Sequence, residues 1–232
     1  MPDNRSRHKA AIREVAAALG PLNKEVIFVG GAVLSLYIND PAAEDVRITK
    51  DIDISLSVVS YAKLEKFREE LVQKGFKQST DLKVMCRFKY KNILVDVMNT
   101  KEIVWAPANR WFSSGFDKRE TVDIEGLDIY ILPLAYYLAS KFEAFNNRGI
   151  VEPRFSHDFE DIVYLFDNRT DIEEQLIKAP GDVKPFLIRQ IKEIMIDGTM
   201  KEAIYGNLVY SMRDERYDRI IKICTAILDK DK

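Results

Sequence analysis

At 232 residues, 47% hydrophobic and 31% charged, the chain can bury a real core as one large domain or two modest ones. Its net charge of −2 removes bulk electrostatic attraction as a reason to expect nucleic-acid or membrane binding. No apolar run approaches the roughly 18 residues of a membrane span, and the polar N-terminus has no apolar signal core. Two cysteines (Cys86, Cys224) and two histidines (His8, His157) form neither a disulfide framework nor a zinc-site spacing, which suits a cytoplasmic protein with reduced thiols.

Residues 8–19 form an Ala-rich helix stopped by Gly20-Pro21. Residues 26–29, Val-Ile-Phe-Val, are a short buried strand, followed by Gly30-Gly31 and a predicted helix over 32–37. A polar loop leads to a strand over 51–57. Apolar residues at helical spacing then predict a helix over 60–74, capped by Gly75. Strands over 82–90 and 93–98 flank Lys91-Asn92 as a hairpin, and a second hairpin turns on Glu125-Gly126. Residues 100–117 read as irregular. After Pro133 the pattern is helical throughout, with helices expected at 133–147, 156–168, 171–178, 182–197 and 215–228. The expected fold class is α+β: a mixed sheet with flanking helices over 1–132, then a helical domain over 133–232.

The chemistry concentrates around Asp51-Ile52-Asp53. In an extended strand, residues i and i+2 point to one face about 6–7 Å apart. Two carboxylates so placed repel and lose solvation unless a cation sits between them, and a divalent metal is the economical answer. Asp96 lies in a strand that should be buried on both faces, where a lone carboxylate needs a partner. If that strand neighbours the first, Asp51, Asp53 and Asp96 converge as ligands for Mg2+ or Mn2+, with a two-metal site in reach. Gly30-Gly31, at a strand-to-helix turn, offers backbone N–H groups and a helix N-terminus to phosphate. Taken singly, the glycines fit plain turn geometry and the Asp-x-Asp fits a solvated strand edge. Their order is the specific signal.

That order, Gly-Gly, Asp-x-Asp and a later strand Asp, resembles the nucleotidyltransferase superfamily of DNA polymerase β type. The wording Val-Gly-Gly-Ala-Val-Leu followed by Thr-Lys-Asp-Ile-Asp-Ile resembles the AbiEii-type nucleotidyltransferase toxins. Lys141-Phe-Glu-Ala-Phe-Asn-Asn-Arg148 and His157-Asp158-Phe-Glu-Asp161 match that family's helical signature, with His157 where the family usually has Lys or Arg. The resemblance implies transfer of a nucleoside monophosphate from a nucleoside triphosphate to an acceptor hydroxyl, with pyrophosphate released. It implies catalytic roles for Asp51, Asp53, Asp96 and Asp158, and nucleotide binding by Lys141 and Arg148. Gly30 and Gly31, by their turn, and Lys50, by its place just before the acids, also fit nucleotide binding, although Lys50 fits a solvated loop residue as well. An RNA acceptor such as tRNA and an antitoxin protein partner follow from the toxin resemblance. A small-molecule acceptor, or a nucleotide-binding module without catalysis, remain alternatives. From spacing alone, Lys141 and Arg148 also fit a structural pairing with the acids of the following helix. Trp105 and Trp111 fit either stacking on a base or cover of the core.

Overall fold

The computed structural model describes residues 3–79 and 86–231. The chain divides into two compact units, one of residues 1–35 and 45–133, the other of Leu36–Glu44 and Leu134–Lys232.

Among the described residues, the first unit is built on a seven-stranded mixed sheet of order β3-β4-β5-β2-β1-β7-β6. The strands are β1 (Val26–Val29), β2 (Asp51–Leu56), β3 (Lys77–Gln78), β4 (Arg87–Tyr90), β5 (Ile93–Asn99), β6 (Glu120–Asp123) and β7 (Asp128–Ile131). Helices α1 (Asn4–Leu19), α2 (Tyr61–Gln73) and α3 (Arg110–Phe116) accompany them. β1 is buried along its whole length because it is central, antiparallel to β2 and parallel to β7. Glu125 and Gly126 take φ values of 52° and 82°, the positive pair that a two-residue hairpin requires to match strand twist.

Several expectations shift. Asp3 caps α1, its side chain accepting from the Ser6 N–H, so the helix starts four residues earlier than expected. The segment after Gly30-Gly31 is a turn and then a four-residue 3-10 helix, Leu34–Tyr37, not an α-helix. No helix dipole therefore stands behind the glycines. The expected strand over 82–90 is described only from Cys86 onward, its earlier part lying outside the described residues. β5 is not buried on both faces: Val95 and Val97 are buried, while Leu94, Asp96 and Met98 are half-exposed. Within 100–117, α3 forms behind an Asn109 cap that accepts from the Trp111 N–H.

The second unit holds α4 (Leu134–Arg148), α5 (His157–Asn168), α6 (Ile172–Ile177), α7 (Lys184–Ile196), α8 (Gly198–Asn207) and α9 (Arg213–Asp229). α8 was not expected; Asp197 caps it by accepting from the Thr199 and Met200 N–H groups. Leu36–Glu44 belongs to this unit, away from the continuous 1–132 expected. Tyr37 stacks on Tyr137 at 4.2 Å, Arg169 donates to the Tyr37 carbonyl, and Asn39 accepts from Thr170. No helix among the described residues is long and apolar enough to cross a membrane.

Candidate active site

The sheet brings the expected acids together by register. β2 and β5 run parallel with Asp53 opposite Asp96, and β4 pairs antiparallel with β5 so that Arg87 lies opposite Asp96. Residues paired across neighbouring strands point to one face, and Asp51 shares that face with Asp53 by the strand's period of two. Ile52 and Ile54, on the other face, are buried. One face at the start of β2 therefore carries Asp51, Asp53, Asp96 and Arg87.

Arg87 is the residue that reasoning from sequence missed. Its Nε donates to Asp96 Oδ1 at 2.7 Å, and its Nη2 donates to Asp96 Oδ2 at 2.7 Å and to Asp51 Oδ2 at 2.9 Å. Asp96 thus has the partner it needed, but a guanidinium in bidentate contact, with both carboxylate oxygens engaged. Hydrogen bonding to Asp96, together with the charges of Asp96 and Asp51, raises the Arg87 pKa above its already high ordinary value. Asp51 also accepts from the Thr49 hydroxyl at 3.1 Å.

Among the described residues, no three His, Cys, Asp or Glu side chains come together around one metal position. The donor set still fits a hard divalent cation. Asp51 and Asp53 present oxygen ligands on one partly exposed face, and Mg2+ is commonly held by one or two carboxylates plus substrate phosphates. Asp96, expected as the third ligand, accepts from Arg87 with both of its oxygens.

The two glycines have specific neighbours. At Gly30, with φ 73°, a Cβ would lie 1.8 Å from Asp53 Oδ2. At Gly31 a Cβ would lie 2.5 Å from Arg47 Nη2. The turn is thus bare so that the Asp53 carboxylate and the Arg47 guanidinium can lie against backbone. Lys50 is exposed beside Asp51. The two tryptophans resolve toward the core: Trp105 and Trp111 are both buried, and Trp105 donates to Glu65 at 2.7 Å while packing edge-on against Phe88.

In the helical unit, Lys141 and Arg148 meet the acids of α5. Lys141 Nζ lies 2.6 Å from Asp161 Oδ2 and 3.7 Å from Asp158 Oδ1. Arg148 binds Asp158 through Nε at 2.7 Å and Nη2 at 3.0 Å. Lys141, Asp158 and Asp161 are buried, whereas the Arg148 side chain is 71% exposed. Asp161, quoted in the sequence motif but not assigned a role, is the closest partner of Lys141. This is the pinning of two helices that the spacing allowed.

A mixed sheet carrying paired aspartates beside a glycine turn is the arrangement that the nucleotidyltransferase resemblance leads one to expect. The sequence matches the family described as nucleotidyl transferase AbiEii toxin, type IV toxin–antitoxin system, over residues 14–219, and the chain belongs to that family of nucleotidyltransferases. No curated protein matches it. Among solved structures, the solution structure of antibiotic-resistance factor ANT(2'')-Ia is similar in fold, with a TM-score of 0.50 and 12% identity. That likeness covers 82% of this chain and 96% of the other. An antigenic nucleotidyltransferase-like protein from Paracoccidioides brasiliensis has a TM-score of 0.49 and 15% identity, covering 93% of this chain and 100% of that one.

Proposed function

We propose that the protein transfers a nucleoside monophosphate from a nucleoside triphosphate to a hydroxyl of an RNA acceptor, releasing pyrophosphate, and that it acts as a growth-arresting toxin opposed by an antitoxin protein. The observation that carries the catalytic part is Asp51 and Asp53 on one face of β2, with Asp53 lying against Gly30. Asp51 and Asp53 would hold Mg2+ or Mn2+. Such an ion would supply neutralisation of the triphosphate and polarisation of its α-phosphorus.

The acceptor hydroxyl gives its proton to a carboxylate base as its oxygen attacks the α-phosphorus, the bond to the β-phosphate oxygen breaks, and pyrophosphate leaves. Catalysis in this class rests on positioning and charge stabilisation more than on covalent chemistry. Backbone N–H groups of the Gly30-Gly31 turn and the Lys50 ammonium bind phosphate oxygens. In the helical unit, Lys141 and Arg148 take the nucleotide-binding role and Asp158 the acid–base or positioning role that the family resemblance implies. The RNA acceptor and the antitoxin rest on that family membership.

The test is incubation of the protein with labelled nucleoside triphosphates, Mg2+ and total cellular RNA. Label should appear in RNA, and Asp53→Ala should abolish transfer while leaving the thermal unfolding transition in place. Label in small acceptors alone would move the reading to a small-molecule nucleotidyltransferase. Tight nucleotide binding without any transfer would indicate a binding module. Growth arrest on expression, relieved by a co-expressed protein, tests the toxin role.

A further inference from the structure

A cation from within the chain already touches Asp51, one of the paired acids, and joins it to Asp96. Arg87 contacts the two carboxylates unequally. Asp96 takes it through both oxygens at 2.7 Å, whereas Asp51 takes only Nη2, at 2.9 Å, and shares its other oxygen with the Thr49 hydroxyl. The register explains the inequality. Arg87 is cross-strand neighbour to Asp96 on β5, and it reaches Asp51 only across that strand. Arg87 and Asp51 are each about one-quarter exposed, while Asp96 is 13% exposed, so the Asp96 contact is the better shielded anchor.

An arginine cannot give up this position by losing its proton, because its charge is permanent at any pH a protein tolerates. It can leave only by exchange for another anion. A dication bound to Asp51 at the usual oxygen distance would lie beside the guanidinium, and the two positive charges would compete for one carboxylate. A phosphate group offers a guanidinium the same planar, two-oxygen recognition as a carboxylate.

We propose that Arg87 is the internal counterion of the active site: with no ligand bound it holds Asp51 in place of a metal, and when metal and nucleotide bind together it stays on Asp96 and passes Nη2 from Asp51 to a phosphate oxygen of the nucleotide. This rests on the metal-dependent reading above and adds to it a residue that contacts the substrate. It gives Asp96 a role that is not metal ligation. It also makes metal and nucleotide binding mutually dependent, because each fills the place that the other empties.

The measurement is Mn2+ binding to the full chain without nucleotide, followed by electron paramagnetic resonance of the free ion. Arg87→Met should tighten Mn2+ binding at least about tenfold, equivalent to about 1.4 kcal/mol. That variant leaves Asp96 half-buried without its counterion, so Arg87→Met/Asp96→Asn, which removes both charges, is measured beside it. Both variants are checked for an intact thermal transition, and Mn2+ binding should tighten in each that keeps it. The same variants should lose affinity for a fluorescent nucleoside triphosphate in the presence of metal. Unchanged or weaker Mn2+ binding in the folded variants, with Asp53-dependent binding in the unaltered protein, overturns the counterion role and leaves the metal reading standing. If the unaltered protein binds Mn2+ no better than Asp53→Asn does, the metal reading falls and the counterion role falls with it.

Discussion

The Asp53 carboxylate occupies the space that a side chain at position 30 would need: a Cβ on Gly30 falls 1.8 Å from Asp53 Oδ2 and 2.6 Å from its carboxyl carbon. Gly30 is also at φ 73°, where residues with a side chain are disfavoured. Gly30→Ala therefore meets two obstacles at once, an unfavourable backbone conformation and a carboxylate that must move. The backbone part alone costs about 1–3 kcal/mol. We expect Gly30→Ala to lower the stability to urea by at least about 1 kcal/mol and to abolish nucleotide transfer by displacing Asp53. Gly31→Ala meets only the flexible end of Arg47, at 2.5 Å, and should keep near-normal stability. Equal loss in the two variants would show that the Asp53 approach does not set the cost.

What could be read from the sequence was local. A Gly-Gly pair after an apolar strand and an Asp-x-Asp two residues apart are signals written within a few positions, and β1, the turn and β2 follow them. Arg87 was not legible, because its role depends on which strands become neighbours. In sequence, Arg87 and Lys89 alternate with Phe88 as any solvated strand edge would, and only the order β4-β5-β2 turns Arg87 toward two aspartates. The misread helix over 32–37 and the missed α8 have different causes. Apolar residues after Gly31 fit a helical period, yet the segment closes as a 3-10 turn. Gly198 and Gly206 disguised α8, although Asp197 was a usable N-cap signal. The assignment of Leu36–Glu44 to the helical unit depends on side chains such as Arg169 and Tyr137, more than 90 residues away in sequence, and no local pattern encodes it.

The thiols should be inert in the native state. Burial raises the Cys224 pKa to about 12. Burial, with the negative charge of Asp96 adding to it, pushes the Cys86 thiol up to about 11. Since the thiolate is the reactive form, both should resist iodoacetamide at pH 8 and react together once the chain unfolds. Mass spectrometry before and after addition of denaturant measures this. Fast labelling of Cys86 in the native protein would contradict the geometry around Arg87.

Glu65 ties α2 to Trp105 and gives stability a modest pH dependence. Burial disfavours its charged form, but hydrogen bonds from Trp105 Nε1 and Arg68 Nε, each 2.7 Å, outweigh that and hold its pKa below the ordinary 4.5. A group whose pKa is lowered by folding stabilises the protein above its unfolded pKa and loses that contribution as pH falls through its folded pKa. Glu65→Gln should thus cost on the order of 1 kcal/mol at pH 7. The gap between variant and unaltered protein should narrow below pH 4.5. Urea unfolding at pH 7 and near pH 3 compares them; a gap that widens in acid would reverse the sign.

The Lys141–Asp161 pair separates a structural role from a nucleotide-binding one. Both side chains are buried, at 7% and 0% exposure, and sit 2.6 Å apart. Removing one charge strands the other, so Lys141→Met should cost about 3–5 kcal/mol. Replacing both, in Lys141→Met/Asp161→Leu, removes the stranded charge and should return most of that stability, because a buried ion pair is often no better than apolar packing of similar volume. Nucleotide transfer is the discriminating readout. If Lys141 only pins α4 to α5, activity should return with stability in the double variant. If its ammonium binds phosphate, the double variant should fold well and still fail to transfer, with weakened nucleotide binding. The second outcome is the one expected from the proposed function, and a stable, active double variant would remove Lys141 from the nucleotide site.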